Sequence, residues 1–191
     1  MIPRRKFREI LLQLRDESCT AEDIVEAVGL LKKKEYAQDV ANYLLKKFGS
    51  EAAITRVLIR AAGKTKTREL HDILAQRLMS REGAEFAYEL IDALAGTGNQ
   101  EYAAAIIPFL DSKDESVWST AAFALGMLKA PIAVLPLVKR YRRTPQSTRS
   151  KALVLKSLQQ ILGNGRKSSL SLDLYLADSP GATREKIREA I

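Results

Sequence analysis

The sequence predicts an all-α fold: a right-handed α-solenoid of about five stacked helical hairpins with a short C-terminal tail. Three observations carry that expectation. Apolar residues recur at helical spacing in successive segments of roughly 10–15 residues. The connections between segments are short and hold capping and breaking residues. Part of the pattern also repeats. "AIIPFL" at 105–110 is echoed by "AVLPLV" at 133–138, each with a proline after two apolar residues. The helix after each has matching leucines thirty residues apart, Leu125 with Leu155 and Leu128 with Leu158. A period near 30 with one hairpin per unit marks repeats that bury their apolar faces only by stacking.

Each element has its own reason. "RKFREILLQL" sets Phe7, Ile10, Leu11 and Leu14 on one helical face. "TAEDIVEAVGLLKKK" opens with Thr20 as N-cap and Asp23 three residues on, as in a capping box. Its stripe is Ile24, Ala27, Val28 and Leu31. "EYAQDVANYLLKKFGS" buries Tyr36, Val40, Tyr43, Leu44 and Phe48, and Gly49 ends it at a C′ position. "SEAAITRVLIRAAG" runs from Ser50 to Gly63 with Ile54, Val57, Leu58 and Ala61 inward. "TRELHDILAQRLMS" and "REGAEFAYELIDALAGTG" form the next pair, followed by "NQEYAAAIIPFLD", "ESVWSTAAFALGMLKA", "PIAVLPLVKRYRR" and "STRSKALVLKSLQQILG". The tail differs. After Asn164-Gly165, "SLSLDLYL" alternates strictly, with Leu170, Leu172, Leu174 and Leu176 on one side. Period two is a strand signal. The segment either packs extended on the end of the solenoid or adds as a strand to a partner or a second copy, which offers a route to self-association through 170–176. "ATREKIREAI" closes as a short helix. The expected domains are therefore a solenoid over 1–163 and a tail over 164–191.

Composition bounds the chemistry. Hydrophobic residues make up 46% and charged residues 28%, the balance of a folded domain with a real core. One cysteine, Cys19, and one histidine, His71, rule out an internal disulfide and argue against a zinc site. A reducing, cytoplasmic setting is expected. The opening "MIPRRKFREILLQLRDE" has charge but no apolar core of a signal peptide, and no stretch is apolar enough for a membrane helix.

The net charge of +8 is unevenly placed. Residues 1–96 hold 17 Lys/Arg against 15 Asp/Glu; residues 97–191 hold 14 against 8. Between Ser116 and Leu172 there are ten cations and no acid. The densest run is "VKRYRRTPQSTRSK", residues 138–151. Lys139, Arg140, Arg142 and Arg143 fall at the C-terminal end of a helix, where the dipole favours cations. Arg149 and Lys151 fall in the first turn of the next helix, where it does not. Ser147 or Thr148 caps that helix, whose free N–H groups can also accept an anion. Tyr141 interleaves the charges and could stack on a base. These seven residues are the candidate partner- or anion-binding site. Other basic clusters sit at helix ends: Lys32–Lys34, Lys46 and Lys47, Lys64 with Lys66 and Arg68. Each singly reads as a solvated helix terminus. His71 reads as a partly exposed polar residue. Trp118 is either a core filler or an exposed anchor.

"IIPFLDSKDESVWSTAAFALGMLKA", within residues 105–129, resembles a HEAT-type repeat, with a weaker copy at 131–162. The resemblance rests on Pro108 in the first helix, the turn acids Asp111, Asp114 and Glu115, then Val117 and the run Ala121, Ala122, Ala124, Leu125, Gly126. Trp118 stands where the family has an arginine that bonds the turn acid. The resemblance implies the solenoid fold and the binding of other macromolecules. A HEAT-like fold also occurs in DNA glycosylases for alkylated bases, but this chain lacks their aromatics around a catalytic aspartate.

No phosphate loop, H-E-x-x-H or G-x-S-x-G motif is present. The expected function is that of a non-enzymatic binding or adaptor module without cofactor or metal, docking an acidic protein in a larger assembly. The alternative is a nucleic-acid-binding solenoid that tracks phosphates without reading bases. No membrane partner is expected.

Overall fold

The computed structural model describes residues 2–16, 18–144 and 149–163. Among them the fold is all-α, a stack of helical hairpins of the solenoid class, with no strand. The helices are α1 (Ile2–Gln13), α2 (Ala21–Leu31), α3 (Ala37–Lys46), α4 (Ala52–Gly63), α5 (Arg68–Leu78), α6 (Ala87–Ala95), α7 (Ala103–Ile106), α8 (Glu115–Met127), α9 (Val134–Arg143) and α10 (Arg149–Leu162). The predicted strand at 170–176, the closing helix at 182–191 and the caps Ser147 and Thr148 lie outside the described residues.

The chain divides into two compact units, Met1–Thr97 and Gly98–Ile191. In the first, α2, α4 and α6 pack side by side as one row and α3 packs on α5 as another. In the second, α8 lies along α10, and α9 packs on α10 and on the 3₁₀ segment Ile107–Asp111 that prolongs α7. Pro108 breaks α7 early, because it has no N–H for the helical ladder.

Most of the stripes read from the sequence form the core, with Leu11, Ile24 and Phe48 only half-buried. Leu31, Val40, Leu44, Leu58, Leu70, Leu74, Leu90 and Leu94 are fully buried in the first unit, and Ala121, Ala122, Leu125, Leu137, Val154 and Leu158 in the second. The Thr20 capping box is present: its Oγ1 accepts from the Asp23 N–H, while the Asp23 carboxylate accepts from the Thr20 N–H at 2.7 Å. Gly49 has a left-handed φ of +77° but falls one residue past the expected C′ position, because α3 ends at Lys46 with Lys47 as its C-cap.

Five openings differ from expectation, one of them a 3₁₀ turn at Pro131–Ala133 before α9. A 3₁₀ turn precedes α3, α6 and α7, and each ends on a buried aromatic in the same triplet: Glu35-Tyr36-Ala37, Glu85-Phe86-Ala87 and Glu101-Tyr102-Ala103. The aromatic anchors the turn and alanine starts the helix. Glu51 takes the N-cap position of α4 rather than Ser50.

Gly63 does not terminate α4 as a breaker. It is buried within the last turn because α6 comes too close for a side chain. A Cβ at Gly63 would stand 2.7 Å from the Ala93 Cβ. The second unit repeats this approach. A Cβ at Gly126 on α8 would stand 2.8 Å from the Ser157 Cα on α10. Thirty and thirty-one residues separate the partners, so small residues recur where neighbouring hairpins touch.

His71 corrects the sequence reading. It is 8% exposed, and its Nε2 lies 3.2 Å from the Thr65 carbonyl oxygen. The helical phase that buries Leu70 and Leu74 carries His71 inward with them. Burial lowers its pKa from 6.5, against smaller opposing effects of the Thr65 and Ala62 carbonyls and Asp72.

Packing and burial each predict a measurable effect. Gly63→Ala and Gly126→Ala should each cost about 1–3 kcal/mol, read as a lower midpoint of chemical unfolding. Lys129, which closes α8 at φ +49°, should behave oppositely: Lys129→Gly should stabilise by about 1 kcal/mol. For His71, the unfolded chain binds the proton more tightly than the folded one, so stability rises with pH. It should fall as pH drops below 6.5 towards the depressed folded value. His71→Gln should remove that dependence, measured by thermal melts between about pH 7.5 and 5, above the range where carboxylates titrate.

Candidate interaction surface

Hairpins in both units are joined by polar contacts between residues about one repeat apart. In the first unit the Arg15 guanidinium donates to both Glu51 oxygens, 36 residues on. Arg56 donates to Glu89 at 2.8 Å, 33 residues on, and lies over the Phe86 ring. Arg77 donates back to the Leu44 carbonyl at 2.9 Å and to the Leu45 carbonyl. It thereby satisfies the C-terminal end of α3 while resting on Phe48. Hydrogen bonding by Arg15 holds the Glu51 carboxyl below its usual pKa. A repeat-to-repeat ladder is therefore present, built with different residues from the family's turn pair.

The second unit builds its ladder around Trp118. Trp118 is a core residue, 4% exposed. The Arg140 guanidinium from the following hairpin lies over its ring at 3.9 Å. Arg140 is half-buried, and its Nε has no hydrogen-bond partner among the described residues. Burial lowers its pKa first; Asp111 and Glu115 oppose that and Arg143 adds to it. Arg143 donates to Asp111 at 2.7 Å, 32 residues back, with both side chains more than half exposed. The Ser150 hydroxyl donates to Glu115, 35 residues back.

These contacts sort the seven candidate residues. Lys139, Arg142 and Arg149 are exposed. Arg143 is exposed but paired with Asp111. Arg140 lies on Trp118. Lys151 is buried, 7% exposed, with its ammonium 4.3 Å from the Tyr141 ring centre. That ring face is thus covered against a nucleobase. Thr144, buried at the end of α9, donates its hydroxyl to the Arg140 carbonyl at 2.9 Å.

The run from 116 to 172 is acid-free in sequence, but its described part is not acid-free in space. Asp111 and Glu115, just before it, pack against its arginines and α10 because one repeat of chain returns them there. Glu115 also supplies an acid near the first turn of α10, where the dipole favours one. Sequence reasoning does not reach this sorting. The available signal is Trp118: an aromatic in the arginine's place invites a cation from the next hairpin.

Among the described residues, no group of three or more His, Cys, Asp or Glu could hold a metal ion. No helix there is long and apolar enough to cross a membrane.

The sorting predicts unequal truncations. Arg140→Ala should cost about 1–2 kcal/mol, because it removes a desolvated cation–π contact and the packing of its stem. Lys139→Ala should cost about 0.5 kcal/mol or less. Trp118 fluorescence should shift in the first variant and not in the second.

Residues 71–159, running from α5 into α10, match the family model described as HEAT repeats. No curated protein matches the chain. HEAT repeats are generally protein-interaction or scaffold modules and typically lack catalytic activity. Over His71 to Gln159 the chain is thus similar to HEAT repeats, and the buried Trp118 with Arg140 over its ring lies within the matched part.

Proposed function

We propose that this protein is a non-enzymatic binding or adaptor module that docks an acidic protein partner through the basic surface of α9 and α10. One observation carries the reading. Lys139, Arg142 and Arg149 are exposed on two helices whose register is set by Gly126 against Ser157 and by Arg140 against Trp118. A packed scaffold with exposed cations is suited to meeting anions with little reorganisation. Arg140, Tyr141 and Lys151 form the bed beneath, and Arg143 divides its charge with Asp111.

The described part of the acid-free run, 116–163, also supports a second reading, a nucleic-acid binder that contacts phosphates only. The two separate on salt dependence. With a DNA or RNA duplex, removing one cation that touches a phosphate should lower the slope of log affinity against log salt by about one unit. An acidic protein partner should show a shallower slope and a slowed association rate when the cations are reversed.

The variant Lys139→Glu, Arg142→Glu, Arg149→Glu should keep the wild-type circular dichroism spectrum. Its binding to the partner recovered from nuclease-treated lysate should weaken by about tenfold or more at low salt. Unchanged affinity in this variant would remove the α9–α10 surface from the account. Binding that disappears with nuclease treatment would favour the nucleic-acid reading.

A further inference from the structure

The α9–α10 hairpin has a flank that no described residue covers. Arg140 and Arg143 point to the preceding hairpin, at Trp118 and Asp111. Leu135 and Arg142, seven residues apart on α9, share the flank turned away from Arg140, and Ile132 and Lys139 are exposed beside it. Ile132 is 60% and Leu135 45% exposed. The position matching Leu135 in the preceding hairpin is Ile107, which is half-buried in a segment that packs on α9. On α10, Leu155 and Leu162 lie on the side away from Ser157, the residue that meets α8. An apolar flank with a basic end is what a further hairpin would cover, and stacked repeats need such an end closed.

The chain itself supplies an occupant. α10 ends at Leu162, beside the start of α9, because the two helices form one hairpin. Twenty-eight residues follow Gly163. Their sequence carries Leu170, Leu172, Leu174 and Leu176 in one parity, with Asp178 next in that parity and Asp173 between. No cation occurs from 168 to 183. The seven residues from Gly163 to Leu170 can span up to about 23 Å. α9 is about 15 Å long, so every point of the flank is in reach. A tethered segment is also present at roughly millimolar effective concentration, well above that of a second copy.

We propose that residues 170–178 dock on this flank of their own chain, with the leucines over Ile132 and Leu135 and Asp178 towards Lys139 and Arg142. Such docking needs no partner; where an acidic partner binds, Asp178 competes with it for Lys139 and Arg142.

The test uses the full chain with Cys19→Ser and a pair of introduced cysteines, Leu135→Cys with Leu172→Cys or with Leu174→Cys, treated with a short bismaleimide. The expected product is a crosslink within one chain, at monomer mass, mapped by peptide analysis. Crosslinks found only between chains would assign the flank to a second copy and overturn the proposal, as would none at all. A second measurement covers failure of the cysteine variants to fold. Leu172→Asp with Leu174→Asp should lower the melting temperature by about 5 °C or more, and Leu135→Asp added to it should lower it little further. An unchanged melting temperature would overturn the proposal.

Discussion

The second unit depends on α8 and α10 being able to touch along their backbones. Gly126 permits it, because any side chain there would meet the Ser157 main chain. That approach sets where α10 begins relative to Glu115, and so lets Ser150 bond it. It also fixes the hairpin from which Arg140 reaches Trp118. The first unit uses the same device at Gly63 and Ala93. Close packing of small residues thus governs register, and the polar ladder one repeat long follows from it.

Register in turn decides what the cations of 138–151 can do. A run of six positive side chains would repel itself if all stayed solvated together. Two rings and two acids relieve it. Trp118 takes Arg140, Tyr141 takes Lys151, Asp111 takes Arg143, and Glu115 stands near the start of α10. Lys139, Arg142 and Arg149 are exposed. The rings also supply what an exposed ion pair cannot: contact area that water does not screen.

Much of this fold is legible in the sequence. The apolar stripes name the core, and Thr20 with Asp23 names the start of α2, because helical period and capping are local physics. The Glu-aromatic-Ala triplets at 35–37, 85–87 and 101–103 are local too, but a 3₁₀ turn and a first helical turn share one apolar spacing and are hard to tell apart. The burial of His71 is not legible, because a lone histidine on an apolar helix carries no sign of the two backbone carbonyls beside it. The candidate surface is legible only as a density of charge. Its sorting depends on Asp111 and Glu115 returning from one repeat away, which no window of a dozen residues contains. The ladder itself could not be placed from Trp118 alone, since its cation comes from the next hairpin.

The central claim is that packing divides the basic run into held and presented cations. Lysine-reactivity footprinting tests it most directly, using amine acylation followed by peptide mapping, with the partner absent and then bound. Lys139 should label fast when the partner is absent and become protected when it binds. Lys151, beneath Tyr141, should label slowly in both states. Equal labelling of the two lysines in the isolated protein would contradict the division, and unaltered labelling of Lys139 in the complex would contradict its use.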